Sequence, residues 1–224
     1  MLHKSHAISL SSFSYRETSV IARFFTEEHG LLSVIATGVR TGKTRFSPSL
    51  FQPLMPSELV HSFKSGTDLH RLSEIRPIKV PSGISLHPVK SAMAIFVAEF
   101  LSKALRDQLE NKPLYQLIYK WIYRLDSATS GFESAHLALL WHSFSCLGIA
   151  PASWKDLLPE GTSLVPDEVA KLDYFFESED VFHPLGCSPL LKQRLLDYLI
   201  NYAGSQLEGL GEIKSLAVLR QVFS

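Results

Sequence analysis

"TSVIARFFTEEHGLLSVIATG", residues 18–38, sets the fold by its spacing. Two short runs rich in β-branched and aromatic side chains flank Thr-Glu-Glu-His-Gly, and a Gly between two such runs is what a hairpin requires. Similar β-prone runs lie on either side: "HAISLSS" before it, "SELVHSF" and "DLHRLSEI" after it, the last two separated by "KSGTD". Five strands before residue 80, with a longer excursion between the third and fourth, predict a small barrel of the oligonucleotide-binding (OB) type. An SH3-like barrel would read similarly.

After "VPSGISLHP" the period becomes helical. Pro88 suits a first helical turn, and Val89, Met93, Phe96, Val97, Phe100, Leu101 and Ala104 recur at three- and four-residue steps. A second helix is expected near Pro113, and a third through Leu137 to Leu147, ended by Gly148 and Pro151. Residues 152–190 read as irregular, with a short helix near "PDEVAKLDYFF", and a further helix starts at Ser188 and Pro189. "GEIKSLAVLRQVF" is a last amphipathic segment. The expected class is α+β: a five-stranded barrel over residues 1–80, then a mainly helical domain over 81–224 packed against it.

Composition excludes several classes. The longest mainly apolar run, "AMAIFVAEFL", contains Glu99 and is too short to span a bilayer, so no membrane partner is expected. No apolar secretory core opens the chain, and its two cysteines fit a reducing compartment, which together point to the cytoplasm. Net charge is zero, yet residues 1–80 hold 10 Lys and Arg against 6 Asp and Glu. The first part is therefore basic and the remainder acidic by about four charges each, and a local field steers a charged ligand more than the sum does. A solvated strand face explains the same excess equally well.

Chemistry-bearing patterns mostly fail. "TGVRTGKTRF", residues 37–46, resembles a phosphate loop, but Gly38 comes one residue late and Pro48 is too near for the helix such a loop needs. His136 and His142 do not share a helix face, and His183 and Cys187 lack a second cysteine pair, so no zinc site and no cofactor are expected. His142, Ser143, Ser145 and Cys146 lie in an apolar helix without the sharp turn that exposes a nucleophile. No catalytic residue emerges, and the chain reads as not an enzyme. What does emerge is a pairing of cations and rings. Phe13, Tyr15, Phe24, Phe25, Phe46, Phe51 and Phe63 alternate with Arg16, Arg23, Arg40, Lys43, Arg45 and Lys64, the composition of a single-strand groove. Core packing competes with stacking for each ring; Tyr15 and Phe46 are expected in loops and are the rings to watch.

"SYRETSVIARFFTEEHGLLSVIATGVRTGKTRFSPSLFQPL", residues 14–54, resembles the N-terminal barrel of the RecO family of bacterial recombination mediators. "LLDYLINYAGSQLEGLGEIKSLAVLRQVF" is similar to that family's ending. The resemblance implies a DNA repair and recombination protein that binds single- and double-stranded DNA, anneals strands and assists recombinase loading. Its implied partners are RecR and the C-terminal tail of single-strand-binding protein. For that tail, Lys103, Arg106, Lys120 and Arg124 are the available cations. Arg40, Lys43 and Arg45 become DNA-contact candidates, with Arg16 and Arg23 as additions. Many members carry a four-cysteine zinc module where this chain has "KDLLPEGTSLVPDE"; packing of Trp154, Tyr174, Phe175, Phe176 and Phe182 is expected in its place. A protein-interaction scaffold without direct DNA contact is the alternative.

Overall fold

The computed structural model describes residues 2–39, 46–64, 66–105 and 109–223. Five strands, β1 (Leu2–Tyr15), β2 (Ser19–Thr26), β3 (Gly30–Ala36), β4 (Pro56–Ser62) and β5 (His70–Pro77), close into a barrel of order β1-β2-β3-β5-β4. This is the OB-type topology. β1 serves both edges: residues 2–8 pair with β4 and residues 7–15 with β2, and the register shifts between Ser9 and Ser11 where the strand bends from one partner to the other. β3 meets β5 in parallel, Val34 opposite His70 and Ile35 opposite Arg71.

The excursion between β3 and β4 holds a 3-10 turn, Pro48–Phe51, and delivers Phe46 and Phe51 into the barrel interior beside Phe24, Leu32, Val34 and Leu59. Phe46 lies in the loop as expected, but its ring is buried in the barrel core and is not free to stack, which corrects that part of the sequence expectation. Tyr15 is the last residue of β1, not a loop residue, and is half buried.

Seven α-helices follow among the described residues: α1 (Ser82–Ser85), α2 (Pro88–Ala104), α3 (Lys112–Ser127), α4 (Ala135–Cys146), α5 (Pro166–Glu177), α6 (Pro189–Gln206) and α7 (Ser215–Val222). α2 is apolar nearly all round and is buried nearly all round, as a central helix must be. One face of it meets the barrel, so β2 is buried on both sides: Phe24 points into the barrel and Phe25 into the helical core with Ile8, Leu10, Leu31 and Leu54. At the other end of the chain Glu99 of α2 accepts from the Lys214 and Ser215 amides at 3.0 and 2.8 Å, capping α7. Burial alone would raise the Glu99 pKa, but these bonds outweigh it and hold the carboxyl below its ordinary range.

The irregular segment 152–190 is packed by rings. Trp154 stacks on Phe176 at 5.8 Å and donates to Asp173 at 2.8 Å, and Trp141 meets Phe176 at 4.7 Å. Phe175 and Phe176 are buried and Phe182 packs against the core, but Tyr174 is largely exposed and contributes only an edge contact to His183. No helix among the described residues is long and apolar enough to cross a membrane.

Candidate nucleic-acid interface

An exposed ring, a half-buried ring and an arginine come together where β1 turns into β2. Beyond the bulge at Leu10, β1 carries Phe13 and Tyr15 out of the barrel core, and Phe13 is 55% exposed, although as a large apolar ring it would ordinarily be buried. Arg16 opens the turn with a left-handed φ of 55°, and its guanidinium lies over the Tyr15 ring at 5.2 Å. The turn's Thr18 carbonyl accepts from the Val39 amide at 2.9 Å. That bond holds Val39 at the turn, and Val39 and Phe46 are both buried in the barrel. Arg40, Lys43 and Arg45 themselves lie outside the described residues.

The outer face of β2-β3-β5 continues from this end. Cross-strand register sets Arg23 opposite Ser33, Ile21 opposite Ile35, and Ile35 opposite Arg71. Arg71 is exposed, and no sequence pattern singled it out, because only the parallel β3–β5 pairing brings it next to Ile35. Arg23 is partly covered. Its Nη1 donates to Ser102 Oγ of α2 at 3.2 Å, and burial lowers its pKa from the ordinary value. It lines a groove of about 470 Å³ between β1 and α2 whose walls include Ser12, Phe51, Ile95, Glu99 and Lys103. Arg16 and Arg23 therefore occupy different surroundings, one on a solvent-facing turn and one at the seam with the helices.

Phe63 takes a different path from Phe13. It is stacked between His29, at 4.2 Å and 16°, and His70, at 5.1 Å and 13°, with His3 and His61 around it. This plug of imidazoles is a packed feature of the barrel. Burial pushes His61 down to about 4 and lowers His29 and His70 as well, so these three rings are neutral near pH 7.

The cations expected to rim a peptide groove do not converge. Lys103 is held by Glu99 at 3.3 Å and by the Glu212 carbonyl; Lys120 is exposed on α3; Arg124 pairs with Asp180 and covers the Phe182 ring; Arg106 lies outside the described residues. An apolar pocket of about 180 Å³ opens elsewhere, between α4, α6 and α7, lined by His136, Leu196, Leu219 and Phe223 and edged by Lys192 and Arg220. His136 is buried there with no hydrogen-bond partner for Nδ1, and its pKa is pushed down to about 3 by burial, then by Lys192. The sequence weighs His136 only as a zinc ligand beside His142 and gives no sign that it borders a pocket.

Comparison with known proteins agrees with this architecture. Residues 1–81 match the model of the recombination protein O N-terminal domain, and residues 86–216 that of the recombination protein O C-terminal domain. The chain is 30% identical over 241 residues to the DNA repair protein RecO of Bacteroides fragilis, 29% over 241 residues to that of Phocaeicola vulgatus and 28% over 239 residues to that of Christiangramia forsetii, each covering 100% of both chains.

Proposed function

This chain belongs to the RecO family, and from that premise we propose that it is a non-enzymatic mediator of DNA repair and homologous recombination in the cytoplasm. It binds single- and double-stranded DNA at the barrel end that carries Arg16, anneals complementary strands and assists recombinase loading with RecR. The observation that carries the reading is the Thr18–Val39 hydrogen bond. It holds Val39, the residue before Arg40 in the sequence, at a turn where an exposed Phe13 and an Arg-covered Tyr15 already offer ring faces. Rings that stack bases beside cations that track phosphates are what sequence-independent single-strand binding needs. Arg supplies a planar fork of donors and Lys a mobile charge.

Three phosphate contacts contribute a slope of about 0.7 each to the fall of log affinity with log salt on a single strand. Replacing Arg40, Lys43 and Arg45 together by neutral residues should flatten that slope by about 2, and should do so for every oligonucleotide sequence alike. Fluorescence anisotropy across a salt series measures it. An unchanged slope in a folded triple variant would place DNA elsewhere and leave the scaffold reading in front.

For the tail of single-strand-binding protein, the pocket at His136 is the better fit than any groove bounded by Lys103 or Arg124, whose charges are already taken. An acidic segment ending in an apolar side chain needs an apolar recess with cations at its lip, which Leu196, Leu219 and Phe223 with Lys192 provide. A tail peptide should bind at low salt and lose at least ten-fold in affinity in Lys192→Glu. Absence of binding at low salt would remove this partner.

A further inference from the structure

A second, unrelated constellation lies on the opposite side of β2, at the turn into β3. The Glu27 amide donates to the His6 carbonyl at 3.0 Å across β1–β2, which brings the Glu27 carboxylate to 3.6 Å from His6 Nδ1. Thr26 closes the turn, accepting from the His29 amide at 3.0 Å and donating to the Gly30 carbonyl at 2.9 Å. Gly30, at φ +62°, lies so close to the Leu109 backbone that a Cβ would stand 2.1 Å from its carbonyl oxygen. The turn is thus held on both sides. It presents Glu28 next to Glu27, and one ligand atom from each of His6, Glu27 and Glu28 lies within 4.8 Å of the other two.

Two buried polar atoms here lack partners. Glu28 Oε2 is shielded from solvent and accepts no hydrogen bond. The Tyr115 hydroxyl of α3 is likewise unpartnered, and Tyr115, only 4% exposed, is one of the residues lining the same 260 Å³ recess as His6 and Glu27. Burial first, then the charges of Glu27, Tyr119 and Glu28, raises the Tyr115 pKa well above its ordinary value, so the phenol keeps its proton and has it to donate. Lys112 is near enough to feel both carboxylates, but its partner is Glu110, at 3.0 Å. Two adjacent carboxylates, an imidazole and a phenol donor, with an orphaned acceptor among them, describe a place for a cation.

We propose that His6, Glu27 and Glu28 form a zinc site at the seam between the barrel and α3, with its open position facing the Tyr115 hydroxyl. Ligands about 2.1 Å from a tetrahedral ion stand ~3.4 Å apart, so the His6–Glu27 pair at 3.6 Å is nearly in place and Glu28, within 4.8 Å of both, has at most about 1.4 Å to close. One imidazole nitrogen with two carboxylate oxygens favours zinc over magnesium or calcium, which prefer all-oxygen shells. Two carboxylates neutralise the ion, and Tyr115 donates to a water in the fourth position. No local spacing in the sequence encodes this site, because His6 and Glu27 meet only through the β1–β2 register. The proposal does not depend on DNA binding.

The test titrates zinc into chelator-stripped full-length protein, using competition against a zinc indicator, with thermal melting as the second readout. One zinc per chain and a higher melting temperature are expected. Glu27→Gln with Glu28→Gln should weaken the binding at least ten-fold and remove the thermal shift, and the milder His6→Gln should weaken it in the same direction. A hundred-fold excess of magnesium should leave zinc bound. No saturable one-to-one binding, or an affinity the same in wild type and in folded variants, would overturn the site.

Discussion

His61 is the residue whose chemistry is most constrained by its position. Its Nδ1 must donate to the Ser62 carbonyl at 3.2 Å, so in the neutral ring Nε2 accepts from Ser5 Oγ at 3.1 Å. Protonation puts a charge into a fully buried ring facing His3, His29 and His70, and burial, the largest cause, takes the pKa from 6.5 to about 4. A histidine whose folded pKa is lowered contributes stability that is fully present above its unfolded pKa and is lost as pH falls from there through the folded value. Denaturant midpoints should therefore drop between pH 6.5 and 4, with His61 contributing up to about 3 kcal/mol. His136, pushed down to about 3, acts in the same direction. Urea melts at pH 7.5, 6 and 5 test this: His61→Gln should show a shallower pH dependence than the wild type, and equal slopes would mean that the plug stays neutral for another reason or not at all.

Among the elements, the joint between α2 and α3 depends on one buried cation. Lys90 Nζ donates to the Asp126 and Ala128 carbonyls at 3.0 and 2.7 Å, satisfying the last turn of α3, and lies 5.2 Å from the centre of the Phe132 ring. Asp126 Oδ1 in turn accepts from the Ile84 amide of α1 at 3.0 Å. Lys90→Met keeps the stem but leaves two carbonyls unpaired, and should cost about 2–4 kcal/mol in chemical denaturation. A loss under ~0.5 kcal/mol would mean that water replaces the ammonium. The apolar period of α2 and α3 and all five strands were legible, because alternation of 2 and 3.6 residues records which face is buried. Lys90 was not, since a Lys in an apolar helix reads as a solvated gap. The burial of Phe46 was missed, although its place in a loop was not, because which loop side chain turns into the barrel is set by the barrel itself. Arg71, His6 and Glu27 take their neighbours from strand register, which no local pattern encodes.

At the scale of the molecule, the barrel and the helices share one core. Ile8, Leu10, Phe25, Leu31 and Leu54 belong to the barrel by chain but to the helical cluster by contact, with Met93, Phe100 and Tyr115 among its members. Burying each such side chain contributes about 1.5–3 kcal/mol, so these five amount to on the order of 10 kcal/mol. That is comparable to the whole stability of an ordinary domain, ~5–15 kcal/mol. The barrel alone would expose all five, and its β2 would lose cover on its outer side. Barrel and helices should then unfold in a single transition, and a 1–81 fragment should be unfolded or aggregated under conditions where the full chain is native. Trp121, Trp141 and Trp154 all lie in the helical part, so their fluorescence reports that half, while hydrogen exchange of β2 and β3 amides reports the other. The two should give the same denaturant midpoint within error. Separate midpoints, or a soluble fragment with protected β2 amides, would show that the shared core contributes far less than its buried side chains suggest.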